Sequence, residues 1–164
     1  MNKIWIIPAM VFSLIVAMSS FAFATVLNTG MLYENDVALG GITLGMTKSA
    51  VANIYGQPDQ VIDHGYVRSE GARLVTWKYG GTFSIEFSDA YVNSVKTTAN
   101  NGIQTPSGIH VGSSVNDVWR SYGKPWMIRH DNGARTYWYH TMEDRKFFIE
   151  IRDDTVTRIT MAYE

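Results

Sequence analysis

Four histidines, His64, His110, His130 and His140, are where acid–base or metal chemistry would start in this chain. The densest grouping is His130, Asp131, His140, Glu143 and Asp144, whose spacing fits no metal-ligand pattern. Hairpin loops collect Asp, Asn and His because their short side chains bond to the local backbone, so turn formation accounts for them. The chain has no cysteine. That removes a thiolate nucleophile, thiolate metal ligands and disulfides together. No G-x-S-x-G nucleophile elbow occurs, and Ser113-Ser114 sit where a helix needs its cap. The chain is therefore read as non-catalytic, with no catalytic residue, no metal and no cofactor.

What remains is binding chemistry. Residues 134–140 and 146–152 alternate as strands do. With Trp138 facing inward like Trp77, the side chains of Arg135, Tyr137 and Tyr139 face outward, as do Phe148, Glu150 and Arg152. Their counterparts earlier in the chain are small or polar: Thr76, Lys78, Ser84, Glu86 and Ser88. Exposed Tyr, Phe and Arg are favoured at binding hot spots. Arg135, Tyr137, Tyr139, Phe148 and Arg152 are thus the candidate partner-binding residues, unless the lead-in segment or the other repeat covers that face. The same alternation predicts that Trp77 and Trp138 are both buried.

The elements that position these residues come from an internal repeat. Gly41-Ile42-Thr43-Leu44-Gly45-Met46-Thr47, with Val51 and Tyr55-Gly56-Gln57-Pro58, returns sixty-seven residues on. The second copy reads Gly108-Ile109-His110-Val111-Gly112-Ser113-Ser114, with Val118 and Tyr122-Gly123-Lys124-Pro125. Trp77 pairs with Trp138, Phe83/Ile85/Phe87 with Phe147/Ile149/Ile151, and Asp89 with Asp153, at spacings that drift as loop insertions would make them. Each copy opens with a short helix. In the second, Val115, Val118, Trp119 and Tyr122 form one stripe, Ser114 with Asp117 makes a capping box, and Gly123 followed by Pro125 stops the helix. Strands are predicted at 60–67, 72–79, 82–88 and 91–98, then at 126–130, 134–140, 146–152 and 155–162, with Asp131-Asn132-Gly133 a hairpin turn. The predicted class is α+β: two tandem copies of a short helix plus a four-stranded antiparallel meander, with helices on one face. The organisation is signal segment 1–24, lead-in 25–40, first repeat 41–98, polar linker 99–106 and second repeat 107–164.

Lys3, the apolar run Ile4–Ala17 and the small residues of Ala22-Phe23-Ala24 read as a secretory signal peptide, cleaved to leave Thr25 first. An uncleaved anchor is the other reading. The remaining chain of about 140 residues is long enough for a proper core. It carries 13 basic against 15 acidic residues, which excludes the basic footprint of a nucleic-acid binder. No later stretch reaches membrane-spanning length.

The run Leu44-Gly45-Met46-Thr47-x-x-x-Val51 with Gly56-x-Pro58 resembles the opening of the SmpA/OmlA domain of BamE-type outer-membrane proteins. Two such units in tandem are similar to the wider group of the β-lactamase inhibitor protein. The resemblance implies helices backing a curved antiparallel sheet whose open face grips a partner. The chain is therefore expected to be an exported, periplasmic or secreted, non-catalytic envelope module that binds a protein or cell-wall partner through its sheet face. Two alternatives stand beside it. One is an inhibitor of a secreted or periplasmic hydrolase, presenting the Asp131–Gly133 hairpin, and the other is a small enzyme with an unrecognised site. The sequence leaves the oligomeric state open.

Overall fold

The computed structural model describes residues 30–163, so the signal segment and its cleavage site lie outside the described residues. A 3-10 turn, Glu34–Asp36, leads to helix α1, Lys48–Tyr55. Strands β1 (Gln60–Val67), β2 (Ala72–Tyr79), β3 (Phe83–Ser88) and β4 (Tyr91–Thr97) follow. Helix α2 is Val115–Tyr122, and β5 (Met127–Asp131), β6 (Ala134–His140), β7 (Arg145–Arg152) and β8 (Thr155–Tyr163) complete the order. Every strand boundary falls within one residue of its predicted range.

How the strands assemble corrects the expected architecture. Two tandem helix-plus-meander units were expected, but the eight strands form one antiparallel sheet in the order β1-β2-β3-β4-β8-β7-β6-β5. The join is the pairing of β4 with β8, from Ser94 opposite Ala162 to Thr97 opposite Ile159. An exposed β4 or β8 edge would leave a row of unpaired N–H and C=O groups, and pairing the two satisfies both. The chain is consequently mostly sheet, with two helices of eight residues each among the described residues.

One core serves the whole sheet. Phe83, Ile85, Phe87 and Val95 from the first half meet Phe147, Ile149, Ile151 and Ile159 from the second, all of them buried. Val51 of α1 and Val118 and Tyr122 of α2 pack on the same face. Residues 30–44 add Leu32, Val37, Leu39, Ile42 and Leu44 to it. Several bonds tie that segment down, among them Leu32 N donating to His140 O at 2.8 Å and the Glu34 carboxylate pairing with Arg145 at 3.1 Å.

The helices are short because both ends are chemically marked. Thr47 Oγ1 accepts from Ala50 N, and Ser114 makes the reciprocal capping box with Asp117. Hydrogen bonds from Ser114, then the nearby Arg120, hold the Asp117 carboxyl below its ordinary range. At the other ends Gly56 and Gly123 take φ of 74° and 66°, a region that costs other residues a Cβ clash.

The same internal contacts recur in both halves. Tyr55 packs on Tyr79 and Phe83, and Tyr122 on Tyr139 and Phe147. Tyr79 OH donates to Gly56 O, and Tyr139 OH donates to Gly123 O. The β3–β4 and β7–β8 pairings each break register beside a glutamate. At those bulges Asn93 Nδ2 donates to Glu86 and Thr157 Oγ1 to Glu150.

Candidate partner-binding face

Strand β6 has bulky residues on both faces, and only the register says which face is buried. Trp138 stands opposite Met127 and Phe148, while Tyr137 stands opposite Ile149 and Tyr139 opposite Phe147. Since Ile149 and Phe147 belong to the core, Tyr137 and Tyr139 do too, at 2% and 1% exposed. This overturns the expected outward placement of the two tyrosines. The error lies in pairing Trp77 with Trp138. Trp77 stands opposite Ile85 as Tyr137 stands opposite Ile149, so the true equivalents are Trp77 and Tyr137. A shift of one residue moves every side chain of a strand to the other face.

The five candidate residues therefore do not form one patch. Arg135 shares the core side of β6 but sits at its start, where its guanidinium pairs with Asp154. Phe148 and Arg152 lie on the open face, as the alternation of β7 requires. The residue that joins them there is Trp138, which sequence reasoning placed inside. Its indole packs edge-to-face on Phe148 with ring centroids 4.6 Å apart, and the Arg129 guanidinium lies 5.8 Å from its ring centroid. The indole N–H is buried with no acceptor among the described residues. An unmet buried donor costs about 1–3 kcal/mol and asks for a reason beyond packing.

Around this pair runs a shallow groove of about 550 Å³, lined by Lys96, Arg129, Asp131, Asn132, Ala134, Thr136, Trp138, Phe148, Glu150, Arg152, Arg158 and Thr160. Its carboxylates are partly spoken for: Glu150 pairs with Arg158 at 2.5 Å and accepts from Thr157 Oγ1 at 2.8 Å. Arg152 Nη1 donates to Asn132 O, pinning the hairpin tip. Trp138 also lines a smaller recess of about 220 Å³, shared with Trp126, Tyr139, His140, Asp144 and Lys146. Trp126 is 60% exposed and meets the His140 ring edge-on. The signal that would have placed Trp138 correctly is its neighbour, because the tyrosine that reaches the helix-ending glycine is Tyr139, matching Tyr79.

Two of the four histidines hold local turns or strand pairs together. His64 bonds to Thr76, and the His110 ring to Gly108 O and Ser113 Oγ. Ser113 Oγ also accepts from His110 N at 3.1 Å, locking the turn before α2. Ser121 and Lys124 match an S-x-x-K spacing, but Gly123 ends α2 between them. Among the described residues no three His, Cys, Asp or Glu side chains gather as metal ligands. The buried phenols belong to the core. Burial pushes the Tyr139 and Tyr122 hydroxyls above the ordinary tyrosine range.

No family model matches the chain, and no curated protein matches it either. Among solved structures it is similar to a cysteine-rich secretory protein from Staphylococcus aureus, at 12% identity and a TM-score of 0.52, covering 84% of this chain and 48% of that one. It also aligns with an extracellular protein containing a SCP domain from Bacillus anthracis, at 6% identity and a TM-score of 0.48, covering 74% and 44%. The chain thus spans about half the length of the structures it matches. The single eight-stranded sheet, with the fold likeness to the Staphylococcus aureus structure, overturns the resemblance to the SmpA/OmlA and β-lactamase inhibitor protein group. The motif behind that resemblance is cap and stop chemistry, which any helix with a Thr or Ser N-cap and a Gly ending shares.

Proposed function

We propose that this chain is an exported, non-catalytic module of the cell envelope that binds a protein or cell-wall partner through the open face of its sheet. The observation that carries the reading is the Trp138–Phe148 pair, set among arginines on a face that the core does not need. Large aromatics beside arginines are the residue types that dominate binding interfaces. The N-terminal segment has the composition of a secretory signal, and the similar structures are described as secretory and extracellular proteins.

The test compares two equivalent positions on that face. A photo-cross-linking amino acid is placed at Phe148, and separately at its first-half counterpart Ser84, in the native cell envelope. Capture of one discrete species from position 148 and none from 84 is the expected result. Equal capture from both, or none from 148, ends the proposal.

A further inference from the structure

We infer that the occupant of this groove is an acidic polypeptide segment, an inference that rests on the open face being the docking surface proposed above. Charge is the first argument. Lys96, Arg129, Arg152 and Arg158 line the groove against two carboxylates, Asp131 and Glu150. Glu150 and Arg158 pair with each other, which leaves Lys96, Arg129 and Arg152 against Asp131, so the balance over the groove floor is positive. The whole chain carries a net charge of −1, so this is a local cationic surface on a slightly acidic protein. Such a surface selects and steers an anionic partner.

The groove floor narrows the class. A neutral glycan would stack on a bare indole face, but Arg129 lies over the Trp138 ring and Phe148 butts against it. A phosphate polymer would meet the cations yet bring no apolar side chain to cover Trp138 and Phe148. An acidic polypeptide brings both, with carboxylates for the arginines and apolar side chains for the rings between them. The shallow shape fits an extended segment lying across the strands.

Fluorescence anisotropy with the full chain distinguishes these cases. The probes are a labelled peptide alternating glutamate with leucine, the same peptide with lysine for glutamate, and polyglycerol phosphate. The glutamate peptide should bind, the lysine peptide should not, and polyglycerol phosphate should bind more weakly. Affinity for the glutamate peptide should fall by about tenfold or more in Arg129→Ser with Arg158→Ser, and at raised salt. Ser94 already occupies the first-half place of Arg158, so the sheet accepts serine there. A melting curve of the double variant that matches the wild type confirms that charge, not folding, is read. Polyglycerol phosphate binding as tightly as the glutamate peptide, or an affinity unmoved by the double substitution, overturns the inference. If envelope capture from position 148 survives the double substitution, the docking face stands and only the acidic partner falls.

Discussion

The two halves of the sheet agree on one face and differ on the other. On the core side Tyr79 and Tyr139, Phe83 and Phe147, Ile85 and Ile149, and Val95 and Ile159 occupy matching register positions. On the open side Lys78, Ser84, Ser88 and Ser94 of the first half stand where Trp138, Phe148, Arg152 and Arg158 stand in the second. Close packing holds the core side to apolar residues of similar bulk, because a misfit there costs kilocalories. The open side is under no such constraint. One half meets that freedom with a lysine and serines, and the other with an aromatic pair among cations. A difference that folding does not require points to use.

The largest expected effect lies on the core side. Tyr139→Ala should cost about 3–5 kcal/mol, and Tyr79→Ala less, because Tyr139 is fully buried and Tyr79 only partly. Urea unfolding of the two variants measures the gap. Equal losses would mean that the halves are equally packed. A loss near zero for Tyr139 would return its ring to the surface.

Alkaline titration sharpens the same contrast. The Tyr122 and Tyr139 phenols keep their protons above the ordinary range because burial disfavours the charged form. In the unfolded chain they ionise near pH 10. Their contribution is therefore fully present below about pH 10 and is lost as pH rises beyond it. Stability should fall above that point, and phenol absorbance should show these groups titrating only with unfolding. Free titration of all the tyrosines in the folded state would contradict their burial.

Helix caps supply a smaller effect. Ser114→Ala should cost about 1 kcal/mol. Thr47→Ala should cost less, since only Ser114 has the reciprocal bond from its helix. Thermal melts of the two variants would show whether the second-half helix depends more on its cap.

The smallest expected effect on stability is the most informative for function. Replacing Trp138 by Lys and Phe148 by Ser transplants the first half's open face onto the second. Both new residues already sit at the equivalent places in this same sheet. The melting temperature should move by less than a core substitution would, while binding of the glutamate–leucine peptide should be lost. Intact binding in the double variant would remove the aromatic pair from the site.

Much of this architecture is legible residue by residue, and the failures have a common cause. The turns at Asp131-Asn132-Gly133, the stop at Gly123 and the phase of β7 all follow from local chemistry. In β7, Phe147, Ile149 and Ile151 alternate with Phe148, Glu150 and Arg152, so the polar set identifies the wet face. Strand β6 offers no such clue. Arg135, Tyr137 and Tyr139 alternate with Thr136, Trp138 and His140, and either set could face a core. Matching tryptophan to tryptophan chose the wrong phase, and the candidate site inherited the error.

The sequence by itself determined where helices and strands begin and end. Capping side chains, glycines free to take positive φ, and two-residue alternation act over a few neighbouring positions and need no distant partner. The tertiary structure decided two things that no local signal encodes. It paired β4 with β8, merging two meanders into one sheet, because only assembly brings those two edges together. It also set the register of β6 against β7, and with it the burial of Tyr137 and Tyr139 and the half-buried place of Trp138 on the open face. Register is a property of two strands at once, and where both faces of one strand are bulky, the neighbouring strand decides.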